Sequence, residues 1–260
     1  MKAILKYPGG KWRIADWIIS HFPQHKVYCE PFFGSGAVFF SKSPSYIETI
    51  NDIDGNIVNL FKVLRESPKE LEYALQFTPF AREEFAQCEN LDISDPIEKA
   101  RRTLVRYHQS YGTANMSKST WRNVQVAGGP RTATMWNALP DRICEVSLRL
   151  KEAQIECIDA LKIIERYNNP ETLIYCDPPY LPEIRRKDLY RFEVDTKYHE
   201  RLLELLLETK SKVVLSGYDN PLYDEKLKDW QTDEMETTAQ QGLKRKEKIW
   251  FNYELQYRFL

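Results

Sequence analysis

The 260-residue chain has no apolar run approaching the length needed to span a bilayer. Its opening residues, Met1 to Lys6, hold too short an apolar stretch for a secretory leader, so a cytoplasmic protein is expected. Close cysteine pairs are missing as well. Cys29, Cys88, Cys144, Cys157 and Cys176 are odd in number and scattered, which argues against a disulfide framework and a thiolate metal site and leaves reduced core thiols as the expectation. Of four histidines only His21 and His25 have a helical ligand spacing, and Pro23 between them breaks it, so no metal is expected. There is no internal repeat and no low-complexity run. The net charge of −1 by itself gives no hint of a nucleic-acid partner. Neither a Gly-x-Gly-x-x-Gly dinucleotide pattern nor a Gly-Lys-Ser/Thr P-loop occurs, which argues against a pyrophosphate ligand.

What is present is the material of an α/β fold. Hydrophobic residues make up 42% and aromatics 13%, enough for a sizeable core in one large domain or a domain with an insertion. Val27 to Glu30 reads as a strand, Pro31-Phe32-Phe33-Gly34-Ser35-Gly36 as a tight turn and Ala37 to Phe40 as the start of a helix. A strand over Tyr46 to Ile50 and a helix over Asn56 to Arg65, with Ile57, Leu60, Phe61 and Leu64 at helical spacing, complete the opening of a doubly wound sheet. From Pro68 to Lys151 strand signals fade. Helical segments at Arg82 to Asn90 and Asp95 to Ser110 precede a polar loop, Tyr111 to Met135, and a helix over Asn137 to Lys151 leads back; this reads as a separate helical lobe. Alternation resumes with strands at Gln154 to Ile158, Thr172 to Cys176 and Lys212 to Leu215, helices at Ala160 to Tyr167 and Asp195 to Thr209, and a hairpin of Trp230 to Thr237 with Glu247 to Phe251.

Three features converge on the carboxyl edge of that sheet, where open α/β sheets place their ligands. Asp177-Pro178-Pro179-Tyr180 follows a buried-strand signature, and its two prolines stiffen the turn, so that a carboxylate and free main-chain carbonyls stand beside a flat ring. Such a site suits a planar group carrying an amine. The Gly34-Ser35-Gly36 turn allows close backbone approach to a ligand, and Asp52 ends the second strand where an acid accepts from ribose hydroxyls, or else caps the following helix. Asp159 is placed either to cap the helix from Ala160 or to meet an adenine amine. A glycine turn and a ribose acid without a phosphate cradle suggest an adenosine ligand lacking phosphates, for which S-adenosylmethionine fits best.

Charge is distributed unevenly. Residues 101–150 hold eight Lys or Arg against two acids, a net of +6 that leaves −7 for the rest. Guanidinium groups interleaved with amides and aromatics suit phosphate contacts and base edges. Within this block Arg122, Asn123, Gln125 and Arg131 are candidate DNA-binding residues, and Lys244-Arg245-Lys246 forms a second basic patch whose alternative is a solvated hairpin turn.

Taken together, these motifs resemble the Dam-like, D12-class, alpha-type N6-adenine-specific DNA methyltransferases. Tyr7-Pro8-Gly9-Gly10-Lys11 resembles the family's amino-terminal aromatic-x-Gly-Gly-Lys segment, with Tyr7 where tryptophan is more usual, and implies that Tyr7 and Lys11 border the cofactor. Glu30-Pro31-Phe32-Phe33-Gly34-Ser35-Gly36 is similar to its glycine-turn motif, Asn51-Asp52-Ile53-Asp54 to its ribose motif and Asp177 to Tyr180 to its catalytic motif. The resemblance implies a Rossmann-like S-adenosylmethionine-dependent methyltransferase sheet, formed by residues 1–65 and 150–260, with a mainly helical target recognition domain inserted at 66–149. It also implies site-specific N6-methyladenine formation in double-stranded DNA by base flipping. A restriction-modification role with a cognate endonuclease, and a monomer or weak dimer, belong to the same expectation. Adenine's amine is a poor nucleophile, so the Asp177 carboxylate and the Pro178 carbonyl are assigned to hold its hydrogens, and Tyr180 to stack on the extruded base. Cytosine N4, an RNA base or a protein glutamine are rival substrates, and a non-catalytic DNA-binding protein retaining the pocket is a rival class.

Overall fold

A computed structural model describes residues 1–111, 120–125, 131–181, 190–238 and 244–255. Its elements, in chain order, are α1 (Ala15–Ser20), β1 (Val27–Glu30), α2 (Ala37–Ser41), β2 (Ile47–Asn51), α3 (Gly55–Glu66), α4 (Pro68–Gln76), α5 (Arg82–Gln87), α6 (Pro96–Gln109), β3 (Ser110–Tyr111), β4 (Thr120–Trp121) and α7 (Thr132–Asn137). After a 3₁₀ turn at Pro140–Arg142 follow α8 (Ile143–Leu150), β5 (Gln154–Glu156), α9 (Ala160–Arg166), β6 (Thr172–Cys176), α10 (Thr196–Glu208), β7 (Lys212–Gly217), α11 (Pro221–Lys226), β8 (Gln231–Thr238) and β9 (Lys244–Phe251).

The main sheet has the order β5-β2-β1-β6-β7-β9-β8. Its first five strands run parallel, while β9 is antiparallel to both β7 and β8. The central strands β1, β6 and β7 are buried along nearly their whole length because both faces are covered. On β6, Leu173 and Tyr175 enter the core on one face, and Ile174 and Cys176 enter the core on the other. From β1 the chain winds outward through β2 to β5, then crosses to β6 and winds the other way to β7. The strand order therefore reverses between β1 and β6, and a crevice opens beyond their carboxyl ends. Asn51 ties three strand exits together: its side-chain amide donates to Pro31 O and Ile158 O and accepts from Ile158 N, at 2.9–3.0 Å.

The inserted helices do not build a core of their own. Leu71 and Leu75 of α4, Leu104 and Val105 of α6, and Ile143 and Val146 of α8 join Ile57, Leu60, Phe61 and Leu64 of α3 in one continuous cluster that reaches the sheet. Burial of each such side chain contributes roughly 1.5–3 kcal/mol, so the apolar stripe of α3 depends on the insertion for its cover. The expected separate lobe is thus fused to the sheet domain. The helix expected over Asn137 to Lys151 is split, because Pro140 has no amide hydrogen to continue it; α7 begins at Thr132, inside the stretch read as loop. The loop's 112–119 and 126–130 lie outside the described residues. Cys29, Cys88 and Cys176 are buried as expected, whereas Cys144 and Cys157 are exposed.

Candidate active site

A cavity of about 480 Å³ occupies the crevice between the β1 and β6 exits. Tyr7, Lys11, Pro31, Phe32, Phe33, Gly34, Ser35, Asp52, Asp159, Asp177 and Pro179 all line it, so segments far apart in the chain meet at one place. Gly36 stands behind the lining, and Pro178 and Tyr180 flank it. The cavity is completed by Glu30 and Asp54, which the sequence offers only as members of motifs with no role of their own, and by Tyr190, Phe192, Asp195 and Tyr198.

The turn after β1 needs its glycines. Gly34 and Gly36 adopt φ of 50° and 65°, and a Cβ on Gly36 would lie 2.3 Å from Cζ of Phe33. The bare backbone of Gly34 lets the Tyr7 ring settle on it, and its amide donates to Asp52 Oδ2 at 2.9 Å. Asp52 Oδ1 accepts from the Asp54 amide at 2.9 Å. Burial still pushes Asp52 up to about 6 against these hydrogen bonds. The cap of α3 is Asp54, which accepts from Asn56 N at 3.0 Å, so Asp52 is spared that task. Asp159 does cap α9, accepting from Leu161 N at 2.8 Å, while also facing the cavity.

At the exit of β6, two donors converge on one oxygen of Asp177. Lys11 Nζ lies 2.9 Å and Ser216 Oγ 2.8 Å from Oδ1, and Ser216 in turn meets the Tyr175 hydroxyl at 3.1 Å. Lys11 also donates to Gly9 O at 3.0 Å and sits 4.8 Å from the Tyr180 ring centroid. Burial alone would lower its proton affinity, but the charges of Asp177 and then Glu247 outweigh that, so the ammonium is held charged above its ordinary value. The Tyr180 hydroxyl donates to Glu247 Oε2 at 2.7 Å, and its ring meets Tyr218 edge-on at 4.5 Å. Burial, then Glu247 and Asp177, raise the Tyr180 phenol well above its ordinary value, so it stays a donor.

Glu30 closes the inner wall. It is only 2% exposed and accepts from the Tyr28 hydroxyl at 2.6 Å; burial, opposed by that bond and reinforced by Asp177, lifts it to about 8. The outer wall is a strap after β6. Tyr190 packs 5.9 Å from the Tyr7 ring, and Arg191 reaches Asp54 at 3.2 Å. Tyr107 of α6 meets the same Tyr7 ring at 5.6 Å, so the insertion touches the pocket wall. Tyr190 and Phe192, two aromatics close together in the connection between β6 and α10, are the signal that would have marked this strap in the sequence.

The candidate DNA-binding residues lie outside the lining. Asn123, Gln125 and Arg131 are exposed, and Arg122 is half-buried with its amide on Gln109 O at 2.7 Å. Lys6, next to Tyr7, has its proton affinity lowered by burial and then by the charges of Arg122 and Arg142. Lys244 and Arg245 begin β9, but their side chains lie outside the described residues. Among the described residues no group of His, Cys, Asp and Glu is arranged to hold a metal, and no helix is long and apolar enough to cross a membrane. His21 meets Asp233 at 2.9 Å, and His25 hydrogen-bonds Pro23 O and Ser45.

The chain is similar to known methyltransferases. The Type II methyltransferase M1.LlaDCHI of Lactococcus lactis subsp. cremoris is 23% identical, covering 94% of this chain and 90% of its own. The DNA adenine methylase of Escherichia coli (strain K12) is 25% identical over 85% of this chain and 82% of its own. The DNA N-6-adenine-methyltransferase of Escherichia phage P1 is 26% identical over 85% of this chain, but over only 30% of its own length. The D12 class N6 adenine-specific DNA methyltransferase family matches residues 7–243, and the chain belongs to that family.

Proposed function

We propose that the crevice between β1 and β6 binds S-adenosylmethionine and that Asp177 to Tyr180 present to it the N6 amine of an adenine extruded from duplex DNA. The observation carrying this reading is the Asp177 carboxylate on its proline-stiffened turn, with Lys11 and Ser216 both bound to Oδ1. Oδ2 is the oxygen we assign to the substrate amine.

The cavity suits such a cofactor chemically. It offers a bare glycine turn, a ribose acid whose two oxygens are already oriented, and a buried carboxyl, Glu30, suited to a ligand cation. In this reading Asp52 holds the ribose hydroxyls and Asp159 the adenine amine. Pro31, Phe32, Phe33, Gly34, Ser35 and Gly36 allow close main-chain approach, and Tyr7 and Phe192 supply apolar walls. When bound, the cofactor supplies a methyl group activated by a sulfonium.

The protein's task is then placement. Asp177 Oδ2 and the Pro178 carbonyl accept the two amine hydrogens, fixing the nitrogen lone pair toward the methyl and stabilising positive charge as it develops there. Lys11 keeps Asp177 in a single orientation, and Pro179 keeps the turn rigid. Tyr180 would stack on the base, one side of its ring being next to the Lys11 ammonium. The region 66–149 would read the target, with Arg122, Asn123, Gln125 and Arg131 toward base edges or phosphates and Lys244 and Arg245 toward the backbone.

Transfer of labelled methyl from S-adenosylmethionine to unmethylated duplex DNA, followed by nucleoside analysis, should yield N6-methyladenine. Asp177→Ala should lower that rate by at least about 10²–10³-fold, with cofactor affinity retained. A wild-type rate in this variant would overturn the assignment.

A further inference from the structure

Glu247 has no part in the reading above, yet it is placed as if it did. It sits on β9, whose antiparallel course brings its early residues to the carboxyl edge of β7: Lys248 pairs with Gly217, and Glu247 stands one step beyond. Its neighbours Lys246 and Lys248 pair with Glu234 and with Asp219 and Asp224. Glu247 instead turns inward, 8% exposed, and accepts the Tyr180 hydroxyl at 2.7 Å. An isolated buried carboxylate is costly, and this one is held by a phenol and by the charge of Lys11.

We infer that Glu247 is a positioning residue for methyl transfer: it locks the Tyr180 ring, and so makes the carboxyl-terminal hairpin part of the active site. The inference rests on the reading of Asp177 to Tyr180 as the catalytic turn. With its hydroxyl tied to Glu247 and its ring braced by Tyr218 at an interplanar angle of 70°, Tyr180 cannot swing without breaking a charge-assisted hydrogen bond. A ring fixed in advance spares the ordering cost that a mobile side chain would impose each time a base enters. The Lys11 ammonium, bound to Asp177 at 2.9 Å, is favoured also by the charge of Glu247, one carboxylate from the parallel part of the sheet and one from its antiparallel edge.

The test is a set of single-turnover methylation rates at saturating DNA and cofactor, with cofactor affinity measured in parallel. Glu247→Ala and Tyr180→Phe should each lose about 10–100-fold in rate, with the cofactor dissociation constant changed by no more than about twofold. The double variant should be no slower than the slower single variant, because both substitutions remove one bond. Glu247→Gln, which keeps an acceptor for the phenol, should recover most of the loss. Wild-type rates in Glu247→Ala, multiplicative losses in the double variant, or a glutamine variant no better than alanine would each overturn the inference. If Glu247→Ala does not unfold cooperatively, Tyr180→Phe and Glu247→Gln carry the test alone. Activity in Asp177→Ala would count against the catalytic turn itself, whereas an inactive Asp177→Ala beside a fully active Glu247→Ala would sink only the role of Glu247.

Discussion

Glu30 keeps its proton to about pH 8 because burial penalises its charged form. A cation delivered beside it by a ligand would favour that form and lower its proton affinity, so cofactor binding near pH 7–8 should release a proton. Affinity should accordingly rise with pH until Glu30 is ionised without help. For the ligand-free protein the sign is opposite: a carboxyl raised on folding makes stability fall as pH climbs from its ordinary value toward about 8. Calorimetry in buffers of differing ionisation heat would read the released proton, and its absence, or its persistence in Glu30→Gln, would refute this assignment. Asp177 and Asp52 were legible in the sequence because each stands directly after a strand, and Gly34 and Gly36 because they fall in the turn that follows one, where chemistry is expected. Glu30, Ser216 and Glu247 were not. Glu30 enters only as the last residue of a strand and the first letter of the glycine-turn motif, and Glu247 only as the first residue of the last strand, beside a basic run; only the three-dimensional packing shows that both side chains are buried.

Among the elements, α3 illustrates how a cap and a site divide neighbouring acids. Asp54 caps the helix and receives Arg191 from the strap even though it borders the cavity, while Asp52 two residues earlier faces the cavity with no capping task. Asp54→Ala should cost about 0.5–2 kcal/mol, read as a lower denaturant midpoint with unchanged slope. Asp52→Ala should instead weaken cofactor binding more than stability; equal effects of the two variants on stability and binding would contradict this division. Elements with a strong period were readable: α3, α6 and α10 show helical spacing, and β1, β6 and β7 are short apolar runs. The helices α1, α4 and α11 escaped because each is short and buries few residues, so the pattern that would reveal them is barely one repeat long. The expected helix across residues 137–151 failed at Pro140, a breaker given too little weight against the periodicity around it.

For the molecule as a whole, the sheet domain and the insertion share one apolar core. A chain lacking residues 66–149 would expose Ile57, Leu60, Phe61 and Leu64 together. It should therefore fail to fold, with lost near-ultraviolet dichroism and association in sedimentation; a monomeric, cofactor-binding remainder would contradict this. The alternation of strands and helices announced the sheet, but not this shared core, because hydrophobic spacing shows that a helix face is buried without showing against what. The contact of Tyr107 with Tyr7 carries the same fusion to the wall of the pocket. Chimeras are constrained by it: exchanging the whole insertion with a relative at 23–26% identity would import a foreign half of a common interior. If the proposed reading of Asn123, Gln125 and Arg131 holds, substituting these three exposed residues should change the target sequence while leaving the shared core intact; an unchanged target would contradict that assignment.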